Sequence, residues 1–95
     1  MSSSVIDIPW IWRHVTQTVL VKRGQGALHT ITLNYIGQGS VITLYDGVNA
    51  GGAVIGIIAT DLSQPVTLVY DLKYRTGIYI AIAGEGEVDL TVNWI

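Results

Sequence analysis

From Val15 to Ile95 the chain is cut every few residues by paired glycines, Gly24/Gly26, Gly37/Gly39, Gly51/Gly52 and Gly84/Gly86, and the runs between them are short and apolar-alternating. Period-two alternation puts every second side chain on one face of a sheet, and glycine supplies the positive φ of sharp reversals. No run carries a helical apolar repeat of useful length. The chain is therefore predicted to be all-β, with its work done on surfaces and edges rather than in a helix-borne active site.

The predicted strands cover residues 15–22, 28–36, 40–46, 53–60, 66–72, 77–83 and 88–94, after an opening segment at 5–12 that contains Pro9. Proline cannot donate to a ladder, so that segment belongs on an edge or in a docked arm. The last strand is the cleanest: Val88, Leu90, Val92 and Trp94 face one way, and Asp89, Thr91 and Asn93 face the other. Other runs, Val41-Ile42-Thr43-Leu44-Tyr45 and Val54-Ile55-Gly56-Ile57-Ile58, are apolar on both faces, which calls for cover on both sides. Seven or eight short strands at even spacing, with connections too short for crossover helices, predict a jelly-roll-like antiparallel β-sandwich. Residues 1–14 are expected as an N-terminal arm or edge strand, and 15–95 as one sandwich domain. Leu44-Tyr45-Asp46 and Val69-Tyr70-Asp71 echo each other. An aspartate at a strand end is explained by bonding to nearby turn amides, without any duplication.

Length and composition limit what this sandwich can do alone. A 95-residue domain buries only roughly 60 to 65% of its unfolded surface. With 49% hydrophobic and 13% charged residues and a mean hydropathy of +0.46, the chain carries more apolar surface than a solitary two-layer fold hides. Self-association is the simplest cover, and a homo-oligomer, with a trimer favoured, is expected. Five basic residues in a chain of net charge −2 leave no electrostatic footprint for phosphate backbones, so no nucleic-acid partner is expected. The uncharged stretch between Arg23 and Asp46 is broken by Gln25, His29, Asn34 and Gln38, so no membrane span is expected. Met1-Ser2-Ser3-Ser4 lacks a basic region and a long apolar core, and the chain is expected to be made in the cytoplasm. There is no cysteine, hence no disulfide or thiolate site.

Few residues carry chemistry. His14 and His29 have no third ligand at a metal-like spacing, and Asp46-Gly47-Val48-Asn49 lacks the acidic density of a calcium loop. Glu85 and Glu87 flank a hairpin glycine, where solvated carboxylates keep a tip soluble. No serine has a nucleophile-elbow context, and the two G-x-G pieces lack the helix that a phosphate cradle needs. A non-enzyme without metal or cofactor is expected. Tyr35, Tyr45, Tyr70, Tyr74 and Tyr79 fall in or beside strands and would form a sugar-binding platform if they shared a face; otherwise they pack the sheets. Lys73, Arg75, Asp71 and Asp61 suggest a polar rim. The expected interface residues are Ile8, Pro9, Trp10, Ile11, Trp12 and Trp94, because large aromatics anchor interfaces; the competing reading puts the indoles of Trp10 and Trp12 in the domain's own core.

Four stretches, Gly26-Ala27-Leu28-His29-Thr30-Ile31, Ile42-Thr43-Leu44-Tyr45-Asp46-Gly47, Thr76-Gly77-Ile78-Tyr79-Ile80 and Asp89-Leu90-Thr91-Val92-Asn93-Trp94, make the chain resemble small structural proteins of tailed bacteriophages. The resemblance implies a jelly-roll-like or related sandwich and a place on the virion. It implies a decoration or cement subunit, commonly trimeric, that clamps the major capsid protein on the capsid surface, or else a carbohydrate- or receptor-binding module of a fibre, spike or tail. It brings no catalytic residues, and no appended receptor-binding module is expected in so short a chain, which speaks against a fibre tip.

Overall fold

Alternating runs and glycine turns resolve into eight strands in the computed structural model, which describes residues 10–37, 39–59 and 66–95. They are β1 (Ile11–Val15), β2 (Val19–Arg23), β3 (Gly26–Ile36), β4 (Val41–Asp46), β5 (Ala53–Ala59), β6 (Val66–Tyr74), β7 (Gly77–Ala83) and β8 (Val88–Trp94). Two four-stranded antiparallel sheets, ordered β1-β8-β3-β6 and β2-β7-β4-β5, pack into the β-sandwich that the sequence predicts. The pairing is nested: β1 pairs with β8, β2 with β7, β3 with β6 and β4 with β5. This is the pattern of one long hairpin rolled on itself, and the β3–β8 and β4–β7 ladders join its turns into sheets.

The inner faces form a single core. Leu28, Ile31, Leu33, Leu90 and Val92 come from one sheet, and Ile42, Leu44, Ile78 and Ile80 from the other; all are fully buried. Each such side chain contributes roughly 1.5–3 kcal/mol when taken from water. The β8 pattern is the predicted one, with Val88, Leu90, Val92 and Trp94 inside.

The chain's entry differs from the sequence reading. The run predicted as one strand at 15–22 is two strands in different sheets, broken at Thr16–Thr18. Thr18 Oγ1 accepts a hydrogen bond from Ile82 N (2.9 Å) and donates one to Ile82 O (3.3 Å), so a hydroxyl takes the place of a ladder partner while the backbone crosses. Residues 11–14 take the edge-strand alternative, since β1 pairs along β8. Ile8 and Pro9 lie outside the described residues.

One end of the sandwich is locked by Asp46. Its carboxylate accepts from the amides of Arg75 (2.8 Å), Thr76 (2.8 Å) and Gly77 (3.3 Å), tying the end of β4 to the β6–β7 turn. Gly77 is required there by close approach rather than by φ, because a Cβ would run into the carbonyls of Lys22 and Gly47. The tripeptide echo has no structural counterpart: Asp46 caps a turn, whereas Asp71 lies inside β6 with φ 45° and bonds a histidine.

Burial alone would raise the Asp46 carboxyl. The three amide donors and the Arg75 charge outweigh it and hold the group below the ordinary aspartate value. Replacing Asp46 by alanine is expected to cost about 1–3 kcal/mol near neutral pH, measured by urea unfolding. A depressed folded value makes this contribution complete above the unfolded aspartate value, and it fades as pH falls through the folded one. The gap between wild type and variant should close in acid; a constant gap would mean that the carboxylate is not the clasp.

Candidate functional site

The two outer faces of the sandwich differ sharply in chemistry. On β2-β7-β4-β5 the cross-strand partners, which share a face, run in three rows: Ala83–Val41–Ala59, Ala81–Thr43–Ile57 and Leu20–Tyr79–Tyr45–Val54. None of these side chains is charged. Ile57 is 64% exposed and Val54 55%, so nothing in the chain's described residues covers them. The rings of Tyr45 and Tyr79 meet at 6.1 Å, tilted by 52°. These are the runs whose two-sided apolarity demanded double cover; the inner side has it and the outer side does not.

The outer face of β1-β8-β3-β6 is polar and tied together. Two register slips on β3 shape it, at His29 and at Asn34, where two residues of β3 oppose one of β8. Such bulges re-aim side chains and occur often beside functional sites. At the first, His29 stacks against Trp10, with ring centroids 4.5 Å apart and planes 18° from parallel, and its Nδ1 bonds the Asp71 carboxylate. Asp71 itself occupies the left-handed region, which aspartate tolerates better than most residues. At the second, Asn34 Nδ2 donates to Asp89 Oδ1 (3.0 Å) and Thr91 Oγ1 (2.9 Å), and His14 Nε2 bonds the same Asp89 oxygen. Asn93 Nδ2 donates to Thr30 Oγ1 at 2.8 Å, and the hydroxyls of Thr32 and Thr67 meet at 3.0 Å. Both histidines are thus held by aspartates on one face. Among the described residues no three acidic or imidazole groups converge as metal ligands would.

The expected interface residues separate. Trp94 is 6% exposed and part of the core, with no acceptor for its indole N–H among the described residues, so it is held by its area and not by that group. Trp12 is 68% exposed on the polar face, where it pairs with Asn93. Trp10 is half-buried on His29, and Ile11 is exposed at the edge of β1. The five tyrosines do not share one face. Tyr70 and Tyr74 pack inward, with burial raising both phenols and the Tyr74 hydroxyl donating to Ile95 O (2.9 Å). Tyr45 and Tyr79 lie on the apolar face, and Tyr35 pairs with Asp89 on the polar one. Asn49 Oδ1 accepts from Gly51 N at 2.8 Å, so the loop after β4 is a side-chain-stabilised turn. Asp61 lies outside the described residues.

No family model, curated protein or solved structure matches the chain.

The contrast between the two tryptophans is measurable. Trp94→Ala is expected to destabilise by about 3–5 kcal/mol through lost core contact, and Trp12→Ala by less than about 0.5 kcal/mol, as for a surface change. Urea unfolding of both variants, followed by circular dichroism, checks this; comparable losses would mean that Trp12 packs on its own domain.

Proposed function

We propose that the chain is a non-enzymatic structural subunit of a virion, of the capsid decoration or cement kind. It works as a homo-oligomer, with a trimer favoured, seated on the major capsid protein at the capsid surface. The observation that carries the reading is the three rows of uncharged side chains on the outer face of β2-β7-β4-β5, with Ile57 and Val54 open to solvent in a single chain. Exposed contiguous apolar surface marks an interaction site, and identical subunits in closed symmetry offer the simplest cover. The small residues Ala59, Ala81 and Ala83 let a second sheet approach closely, while Val41, Ile57 and the Tyr45–Tyr79 pair supply the area. The nested strand pairing supports reading the sandwich as a jelly roll, the form that the resemblance to phage structural proteins implies. Ile11, exposed at the edge of β1, offers a second apolar contact to the shell. The mechanism is mechanical: each oligomer spans a seam between capsid subunits and opposes its opening, and repetition over many sites makes a modest contact sufficient.

The test has two arms. Ile57→Glu places a charge in the buried face, and sedimentation velocity should show it reduced to single chains with circular dichroism unchanged, while wild type sediments as an oligomer. Wild type added to phage heads stripped of accessory proteins should bind them and raise the temperature at which they release their genome, and the variant should do neither. A wild-type chain that sediments as a monomer, or heads that ignore it, would contradict the reading.

A further inference from the structure

We propose that the polar outer face of β1, β8 and β3 is a binding site for a neutral oligosaccharide, laid between Trp12 and Tyr35. These are the two exposed aromatic residues on that face, 68% and 58% accessible, and they stand at opposite ends of one strip. Trp12 pairs with Asn93 and Tyr35 with Asp89, four residues apart along β8 and on its opposite sides, so the two aromatics are offset by about 13 Å along the strand and about 10 Å across it. Between them lies the network of His14, Asp89, Asn34 and Thr91. Beside Tyr35 and Asp89 the surface opens into a cleft of about 530 Å³, lined also by Thr16, Glu87 and Val88.

The chemistry of this strip fits a chain of pyranose rings. A pyranose presents an apolar C–H face, which an indole or phenol covers, and a rim of hydroxyls, which needs fixed donors and acceptors in the plane of the sheet. The polar groups here are held before any ligand arrives. Asp89 Oδ1 is shared by His14 and Asn34, and the Asn34 amide is anchored at both Asp89 and Thr91. That leaves Asp89 Oδ2, Asn34 Oδ1 and His14 Nδ1 without a partner among the described residues. The bulge that carries Asn34 into this network costs β3 its regular register, as expected where a side chain is re-aimed for a purpose other than sheet pairing. A protein partner would be better served by aliphatic side chains, and the large aliphatics exposed on this face among the described residues stand at its margins, Val69 on the far edge strand β6 and Ile95 past the end of β8. The charge of the strip selects further: Asp89 and Glu87 border the cleft and no lysine or arginine lines it, so a uronic, sialic or sulfated sugar would meet like charge.

An array of neutral and acidic oligosaccharides, followed by titration calorimetry of the strongest neutral binder, tests this with the full chain. Neutral glycans should bind. Trp12→Ala and Asn34→Ala should each weaken the dissociation constant by about tenfold or more, a loss of one stacking or anchored polar contact. Tyr35→Ala carries the same test from the other end of the strip if Trp12→Ala fails to fold. Ile57→Glu, on the opposite sheet, should bind the same glycan within about twofold of wild type, so failure of self-association and failure of sugar binding read out separately. Absence of any neutral binder, a preference for acidic glycans, wild-type affinity in Trp12→Ala, or a protein ligand held through Trp12 in place of a sugar would each overturn the proposal.

Discussion

The dry layer between the two central strand pairs, β3 with β8 and β4 with β7, is the contact on which the rest of the molecule depends. Leu28, Ile31, Leu33, Leu90 and Val92 meet Ile42, Leu44, Ile78 and Ile80 there without access to water. A sandwich of this size has little other area to bury. Fixing that layer fixes the faces: once β4 commits Ile42 and Leu44 inward, Val41, Thr43 and Tyr45 must point out, whatever their affinity for water. The unsheltered face of β2-β7-β4-β5 follows from core packing and pleat geometry, not from an independent feature.

Much of this was legible in the sequence. Glycine pairs and alternation mark six of the eight strands to within two residues, because a pleat leaves a period-two signature wherever one face is wet, as in Val88 to Trp94. The misread stretch, 15–22, has no glycine or proline at its break. The crossing at Thr16–Thr18 is held by a hydroxyl bonding the backbone of Ile82, a partner 64 residues away that no local pattern reveals. Strand order was equally hidden, since nested pairing joins residues from opposite ends of the chain.

The candidate surfaces were half legible. Two-sided apolar runs at 41–45 and 54–58 announced a need for cover, and the structure locates it on one sheet. The polar face could not be read, because His29 and Asn34 join it through register slips, and His14, Asp89, Asn34 and Thr91 come from three strands. Aromatic content was a poor guide to role. Trp12 and Trp94 look alike in sequence, yet one is open and the other is core, because they fall on opposite faces of the paired strands β1 and β8. The two faces also divide labour physically: a surface that hydrogen-bonds to itself stays wet at little cost, whereas one of valine, isoleucine and alanine gains by losing water.

The proposed cover over the apolar face is tested most directly at the methyl groups themselves. Val69, 65% exposed on the opposite sheet, provides an internal reference for open solvent, against Ile57 and Val54, which are equally open in a lone chain. Methyl relaxation in the presence of a soluble paramagnetic probe should leave Ile57 and Val54 slow while Val69 relaxes fast. If all three relax at the same rate in the wild-type protein, the face is bare and no assembly covers it.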